Sequence, residues 1–184
     1  MSTKSYIQSS PRTVFTLPSL LVGTKEADST KMTKRLNYYV RNGVLLNLRK
    51  GLYAKPEYNE QEIACSMYAP CYISLQYVLQ RAGVIFQYDS CVTSVSYLSR
   101  EITIDGKIYS YRKVKEAIIV NRQGIVTEDN INIASLERAF LDTVYLYPDF
   151  YFDNTGILNK DKVLELLPLY MNKKMEKRVL TTLL

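Results

Sequence analysis

The sequence predicts an α+β protein of two domains: a small basic domain over residues 1–56, and a larger domain of antiparallel strands and helices over residues 57–184. The first domain carries ten basic against two acidic residues, a net charge of +8. The rest carries 14 basic against 16 acidic residues, a net charge of −2. Helical and strand-like patterns occur on both sides of the boundary, which is typical of α+β folds.

The composition excludes several classes of protein. Hydrophobic residues make up 47% and charged residues 23%, close to globular averages, which argues against a disordered or fibrous chain. There is no apolar run of about 18 residues and no signal-peptide pattern, so we expect a cytoplasmic protein that does not span a membrane. The chain has no histidine, which excludes Ser-His-Asp and Cys-His catalysis and His-based metal sites.

The three cysteines, Cys65, Cys71 and Cys91, lie too irregularly for a zinc pattern and are odd in number. They are predicted to be reduced structural thiols. We therefore expect no metal, no cofactor and no enzymatic activity.

The first domain is predicted to open with helices. Residues 1–13 are polar and predict a loose tail. Thr16 is predicted to cap a short helix that Gly23 ends, and residues 24–27 suggest a second, very short helix. Ser29 is then predicted to cap a third helix over residues 30–41.

A basic helix and a basic hairpin follow. Met32, Leu36 and Val40 recur at every fourth residue of the third helix and predict its inward face. Residues 44–48 and 52–54 predict two strands joined by the turn Arg49-Lys50-Gly51.

Three helices followed by a hairpin with a basic tip is the order of a winged helix-turn-helix, which places one helix in the major groove of DNA and its wing on the backbone. We therefore expect double-stranded DNA as a partner. Lys and Arg side chains would contact phosphates, while Asn37 and Thr33 would read base edges. The predicted DNA-binding residues are Lys31, Thr33, Lys34, Arg35, Asn37, Tyr38, Arg41, Arg49 and Lys50.

The second domain mixes helix and strand signals. After a helix-compatible segment within residues 57–70, Ser74 is predicted to cap a helix over residues 75–82. The predicted strands are residues 91–98, a hairpin over 101–114 with Asp105-Gly106 at its turn, and 117–120. Ser135, Asn159 and Asn172 are predicted to cap helices over residues 136–146, 160–167 and 173–183.

Taken in order, these segments resemble the antitoxins of the abortive-infection E (AbiE) type IV toxin–antitoxin systems, which act in phage defence. The shared segments are residues 49–54, 72–75, 92–94, 109–112 and 133–142, together with Leu79 and Gly83. The resemblance implies that the winged domain represses its own operon. It also implies that the second domain counters a nucleotidyltransferase toxin without a stable complex. Because one winged unit covers little DNA, we expect two or more copies on repeated half-sites.

Two other functions stay open. The chain could be a winged-helix transcription factor with a ligand-sensing second domain. Less favoured is a DNA-targeted, metal-dependent nuclease built on Asp105 and Lys107 with Glu101 or Asp89, since Asp-Gly is also a simple turn signal.

Arg138 and Asp142, four residues apart, are predicted to form a structural ion pair. The basic cluster Lys173, Lys174, Lys177 and Arg178 is either a solvated face or a second phosphate contact.

Overall fold

The computed structural model describes residues 2–183; Met1 and Leu184 lie outside the described residues. The chain is an α+β protein of two compact units, the first ending at Met67 and the second beginning at Tyr68. The first unit contains a three-stranded antiparallel sheet and the second a six-stranded mixed sheet. Within residues 2–183 no helix is long and apolar enough to cross a membrane.

In its described residues, 2–67, the first unit contains four helices and three short strands. In chain order these are α1 (Thr3–Ser9), β1 (Val14–Thr16), α2 (Leu17–Thr24), α3 (Ser29–Arg41), β2 (Leu46–Arg49), β3 (Leu52–Ala54) and α4 (Glu60–Met67). The central strand β3 pairs with β1 on one side and β2 on the other. The core of this unit includes Ile7, Phe15, Leu20, Met32, Leu36 and Tyr53, so helices and sheet share it.

The prediction of a loose tail over residues 1–13 is wrong, because residues 3–9 form a helix with a buried face. Ser2 caps α1 by accepting a hydrogen bond from Ser5 N, and Ile7 is buried in the core.

Gly23 does not end α2 as predicted. A Cβ at Gly23 would lie 2.2 Å from the Tyr6 hydroxyl oxygen, so glycine here allows the Tyr6 ring of α1 to lie against α2.

The start of α3 also differs from the prediction. Residues 25–28 form no second short helix, because α2 continues to Thr24 and Lys25 takes the left-handed conformation. Asp28, one residue before the predicted cap, accepts a hydrogen bond from Lys31 N at 2.9 Å. The capping by Thr16 is confirmed, with Ser19 completing a reciprocal pair of hydrogen bonds.

Helix α4 belongs to the first unit because of one buried carboxylate. Glu62 is only 4% exposed and accepts hydrogen bonds from the backbone and hydroxyl of Thr13 and from Val14 N. These bonds join α4 to the start of β1. The compact unit therefore extends beyond residue 56, where the sequence placed the boundary.

The second unit contains six strands and five α-helices in its described part. In chain order these are β4 (Cys71–Ile73), α5 (Gln76–Ala82), β5 (Val92–Ser96), β6 (Arg100–Ile104), β7 (Lys107–Lys113), α6 (Glu116–Ile119), β8 (Ile125–Glu128), β9 (Ile131–Ala134), α7 (Leu136–Leu146), α8 (Lys160–Leu166) and α9 (Lys173–Leu183). A short 3-10 helix, Leu167–Tyr170, follows α8. The sheet order is β6-β7-β5-β4-β9-β8.

The prediction that the strands of the second domain are antiparallel is only partly confirmed. Strand β5 pairs with β7, and β4 with β9, in parallel. The strand predicted over residues 117–120 is wrong: this segment belongs to α6, which buries Ile118 and Ile119. The hairpin about Asp105-Gly106 is confirmed, as are the caps Ser135, Asn159 and Asn172.

Candidate functional site

Helix α3 has one buried and one exposed face, as its sequence period predicts. Met32 and Leu36 are fully buried, and Val40 packs partly buried against the same core. The exposed face presents Lys31, Lys34, Asn37, Tyr38 and Arg41, whose helical spacing places them opposite Met32 and Leu36. The structure therefore brings five of the predicted residues onto one solvent-facing surface, which we call the α3 face.

Two predicted residues lie at the margins of this surface. The Thr33 hydroxyl donates to Ser29 O at 2.8 Å, so it is engaged within the helix. Arg35 is half-buried: its guanidinium lies 3.6 Å from Glu26 and donates a hydrogen bond to the hydroxyl of Thr3. These contacts turn Arg35 toward α1 and the residues after α2.

The basic turn between β2 and β3 is held by the backbone. Leu17 N donates to Gly51 O at 2.9 Å, and Gly51 takes a φ of +78°, which favours glycine. Arg49 and Lys50 are both exposed at this turn. Because Tyr53 of β3 shares a core with Leu36 of α3, the turn and the α3 face belong to one packed unit.

Cations without a carboxylate partner lie at these two places, as they do in the described chain at other exposed lysines such as Lys4, Lys25 and Lys113. Among the described residues, Lys34, Arg41, Arg49 and Lys50 form no ion pair. Lys31 is different, since its ammonium lies 3.8 Å from Glu26. An anionic partner would therefore meet four free cations without first displacing a carboxylate.

Sequence reasoning missed two exposed polar residues. Thr30 is exposed one turn before Lys34 on α3, and the i,i+4 spacing could have revealed it. Asn47 is exposed on β2, next to a register shift between Asn47 and Arg49. The alternation of apolar and polar residues in the sequence did not indicate this register shift.

Of the residues proposed for a metal-dependent nuclease, Asp105 lies in a turn, while Glu101 and Lys107 lie in the two strands that this turn joins. Asp105 and Gly106 have φ values of +50° and +74° at the tip of the β6–β7 hairpin, as the turn interpretation predicts. Within the described chain, no group of three or more carboxylate, cysteine or histidine side chains could hold a metal ion.

No disulfide joins the cysteines of the described chain, and Cys71 and Cys91 are buried. Burial, with the nearby charges of Asp89 and Glu101, raises the pKa of Cys91 to about 11. Because nucleophilic attack by cysteine requires the thiolate, Cys91 is unreactive at neutral pH.

The predicted pairing of Arg138 with Asp142 is confirmed and is entirely internal. The side chains are 3.5 Å apart and fully buried. Asp142 accepts hydrogen bonds from the hydroxyls of Tyr72, Ser74 and Tyr170, while Arg138 donates to backbone oxygens. Burial raises the pKa of Asp142, which Arg138 and these hydroxyls partly counteract. With no opening to solvent, the group has a structural role.

Comparison with models of known protein families and with curated proteins finds no match to this chain. The resemblance to AbiE antitoxins therefore stays a hypothesis. The best-supported functional feature is the α3 face together with the turn at Arg49 and Lys50.

Proposed function

We propose that the first unit is a winged helix-turn-helix and that the protein is a cytoplasmic, DNA-binding repressor of its own operon. The observation that carries this proposal is the α3 face, where Lys34, Asn37, Tyr38 and Arg41 are exposed opposite the buried Met32 and Leu36. A helix of this kind can enter the major groove without unfolding any part of its core.

The strand arrangement supports the same proposal. Helices α2 and α3 follow one another and precede the β2–β3 hairpin, while β1 adds a third strand beside β3. In winged domains the hairpin is the wing that lies on the DNA backbone. Arg49 and Lys50 occupy the tip of this hairpin, where they would meet phosphates.

Duplex binding by a charge-reversed variant tests the proposal. Lys34→Glu, Arg41→Glu and Lys50→Glu together replace three exposed cations that form no ion pair in the described chain. Fluorescence anisotropy with DNA from upstream of the coding region should show binding by the wild type and none by this variant, because phosphate attraction becomes repulsion.

The matched control makes the same charge change elsewhere. Lys113, Lys115 and Lys162 are exposed in the second unit, and changing all three to Glu alters net charge equally. The control should keep near-wild-type affinity. Equal loss of binding in both triple variants would show that only bulk charge matters, and the proposed surface would be wrong.

For the second unit we propose the antitoxin activity that the family resemblance implies, directed against a nucleotidyltransferase toxin without a stable complex. Its support is the resemblance of residues 133–142, which span the end of β9 and the start of the largely buried helix α7. Growth of cells under induced toxin tests it, with this protein expressed from an unrelated promoter. The Lys34, Arg41 and Lys50 variant should still rescue growth. Failure of the wild type to rescue would remove the antitoxin proposal.

Ligand sensing is a second candidate for this unit. A cavity of about 670 Å³ opens beside β5, β6 and β7 and favours it, since small-molecule sites commonly have this size. A ligand-responsive repressor would bind DNA with an affinity that changes when this cavity is filled.

A further inference from the structure

The floor of this cavity is one face of the sheet in the second unit. Thr93 of β5 pairs with Ser110 of β7, and Ser110 pairs with Glu101 of β6. Because side chains alternate along a strand, Arg112 lies on the same face as Ser110. The cavity is thus floored by Thr93, Ser110, Glu101 and Arg112 side by side.

Aromatic side chains surround the opening. Phe86, Tyr88 and Tyr151 are 71%, 81% and 78% exposed, although such large rings are usually covered. Tyr147 and Phe150 line the cavity beside them. These rings offer flat apolar surfaces against which another aromatic ring can pack.

Several polar groups of the cavity already have partners. Asp89 accepts from Cys91 N and Asp153 accepts from Phe86 N, both at 2.8 Å. The Thr93 hydroxyl donates to the backbone of Ser74 and accepts from that of Tyr77. These groups hold the strand and the neighbouring loops in place.

Three polar groups on the floor are not satisfied in this way. The Ser110 hydroxyl is buried without a hydrogen-bond partner, and the residue is 3% exposed. Within the described chain the Glu101 side chain forms no ion pair or hydrogen bond, and the Arg112 side chain donates only to the Tyr147 hydroxyl, at 2.9 Å. Leaving a buried hydroxyl unpaired is costly, so a ligand group that accepts a hydrogen bond from Ser110 would be stabilised there.

The two opposite charges are placed for one ligand. Glu101 and Arg112 are diagonal neighbours on adjacent strands, about 7 Å apart at their backbones, and they are not joined to each other. A planar guanidinium suits a carboxylate, and a carboxylate suits an ammonium. Three carboxylates in the cavity against one guanidinium also oppose the phosphates of a nucleotide.

We propose that the cavity binds a free α-amino acid with an aromatic side chain. The ligand ammonium contacts Glu101, the ligand carboxylate contacts Arg112, and the Ser110 hydroxyl donates to that carboxylate. The aromatic side chain packs among Phe86, Tyr88 and Tyr151. This binding does not depend on DNA recognition by the first unit.

Calorimetric titration of the full chain with three related compounds tests the proposal. L-Phenylalanine carries both charges, 2-phenylethylamine lacks the carboxylate, and 3-phenylpropanoate lacks the ammonium. Because each charge-assisted hydrogen bond counts separately, each analogue should bind at least about tenfold more weakly than L-phenylalanine. This series needs no variant and is independent of any folding defect.

Two variants then test which side chain of the cavity binds each charged group of the ligand. Arg112→Gln should weaken L-phenylalanine and 3-phenylpropanoate but leave 2-phenylethylamine unchanged. Glu101→Gln should weaken L-phenylalanine and 2-phenylethylamine but leave 3-phenylpropanoate unchanged. Arg100→Gln is the matched control, since Arg100 is exposed and pairs with Tyr111 on the other face of the sheet.

The expected binding pattern differs from each result that would overturn the proposal. The expected pattern is tightest binding of L-phenylalanine with opposite selectivity changes in the two variants. Three results would overturn the proposal: no heat of binding for L-phenylalanine at millimolar concentration, equal affinity for the three compounds, or the same loss in Arg100→Gln as in Arg112→Gln.

Discussion

Nε of Arg138 lies 3.5 Å from Oδ1 of Asp142, and neither side chain is exposed to solvent. Tyr170 donates to the same carboxylate oxygen at 2.6 Å, and Ser74 donates to the other at 2.8 Å. Removing two charges from water is unfavourable, and the pair is tolerated because both Asp142 oxygens and both terminal nitrogens of Arg138 form hydrogen bonds, although Arg138 Nε has only the ion pair. The network connects β4, α7 and the 3-10 helix after α8 and so fixes the core of the second unit.

Breaking this pair should destabilise the second unit strongly. Asp142→Asn leaves the Arg138 guanidinium buried without a counter-charge, which costs about 3–5 kcal/mol in free energy of unfolding. Tyr170→Phe removes one hydrogen bond to a charged group and should cost about 1.5–3 kcal/mol. Urea denaturation followed by circular dichroism measures both. A loss below about 1 kcal/mol for Asp142→Asn would contradict the structural role.

Glu62 should stabilise the first unit through its hydrogen bonds, though less strongly than Asp142 stabilises the second. Its carboxylate accepts from Thr13 N, Thr13 Oγ1 and Val14 N at 2.8–3.1 Å. Glu62→Gln replaces one acceptor oxygen by a donor and should cost about 1–3 kcal/mol of unfolding free energy. Glu57→Gln, at an exposed position, is the control and should change stability by less than about 0.5 kcal/mol. Similar losses in both variants would deny Glu62 this role.

The Cys91 thiol should react only at alkaline pH. Burial raises its pKa to about 11, so the protonated form persists in the folded protein where an exposed thiol would already ionise. Its contribution to stability is therefore present below the pKa of the unfolded thiol and is lost as pH rises toward 11. Iodoacetamide labelling at pH 8 with mass spectrometry should leave Cys91 unmodified in native protein and modify it in urea. Rapid labelling of native Cys91 at pH 8 would refute this.

Asn37 and Lys34 should differ in how they affect DNA binding. Both are exposed on α3, but an amide can read an adenine edge, whereas an ammonium acts mainly on phosphate. Asn37→Ala should cost about 1–3 kcal/mol on the preferred sequence and little on others. Lys34→Ala should weaken binding to all duplexes alike. Selection from random duplexes measures both, and unchanged sequence preference for Asn37→Ala would exclude base reading.

Repeated half-sites are expected on the operator. One winged unit contacts too few base pairs for high selectivity, so two or more copies should occupy a direct or inverted repeat. Footprinting combined with native mass spectrometry of the complex gives the number of chains per duplex. A single protected half-site with one chain bound would contradict the expectation.

The sequence correctly predicted those helix ends and turns that depend on local hydrogen bonds and residue periodicity. Thr16, Ser135 and Asn159 all cap the helices they were predicted to cap, and Asp105-Gly106 forms the turn of its hairpin. These signals succeed because the residue that makes the interaction lies within four positions of its partner.

Tertiary contacts explain the failures. Ser74 was predicted to cap α5, but its hydroxyl donates to Asp142, 68 positions away. Ile118 and Ile119 looked like a strand, yet they lie in α6, where both side chains enter the core. For the candidate site, the α3 face followed from helical period alone. The half-buried position of Arg35 did not, because it depends on Thr3 in a segment predicted to be loose.

The salt dependence of duplex binding tests most directly whether the α3 face and the turn at Arg49 and Lys50 contact DNA phosphates. Each lost phosphate contact reduces the slope of log affinity against log salt by about 0.9, so a Lys34→Ala, Arg41→Ala and Lys50→Ala variant should lose about 2.7 in slope. The result should appear in anisotropy titrations between about 50 and 200 mM salt. A slope equal to that of the wild type would show that these side chains do not touch DNA, and the proposed DNA-binding surface would be wrong.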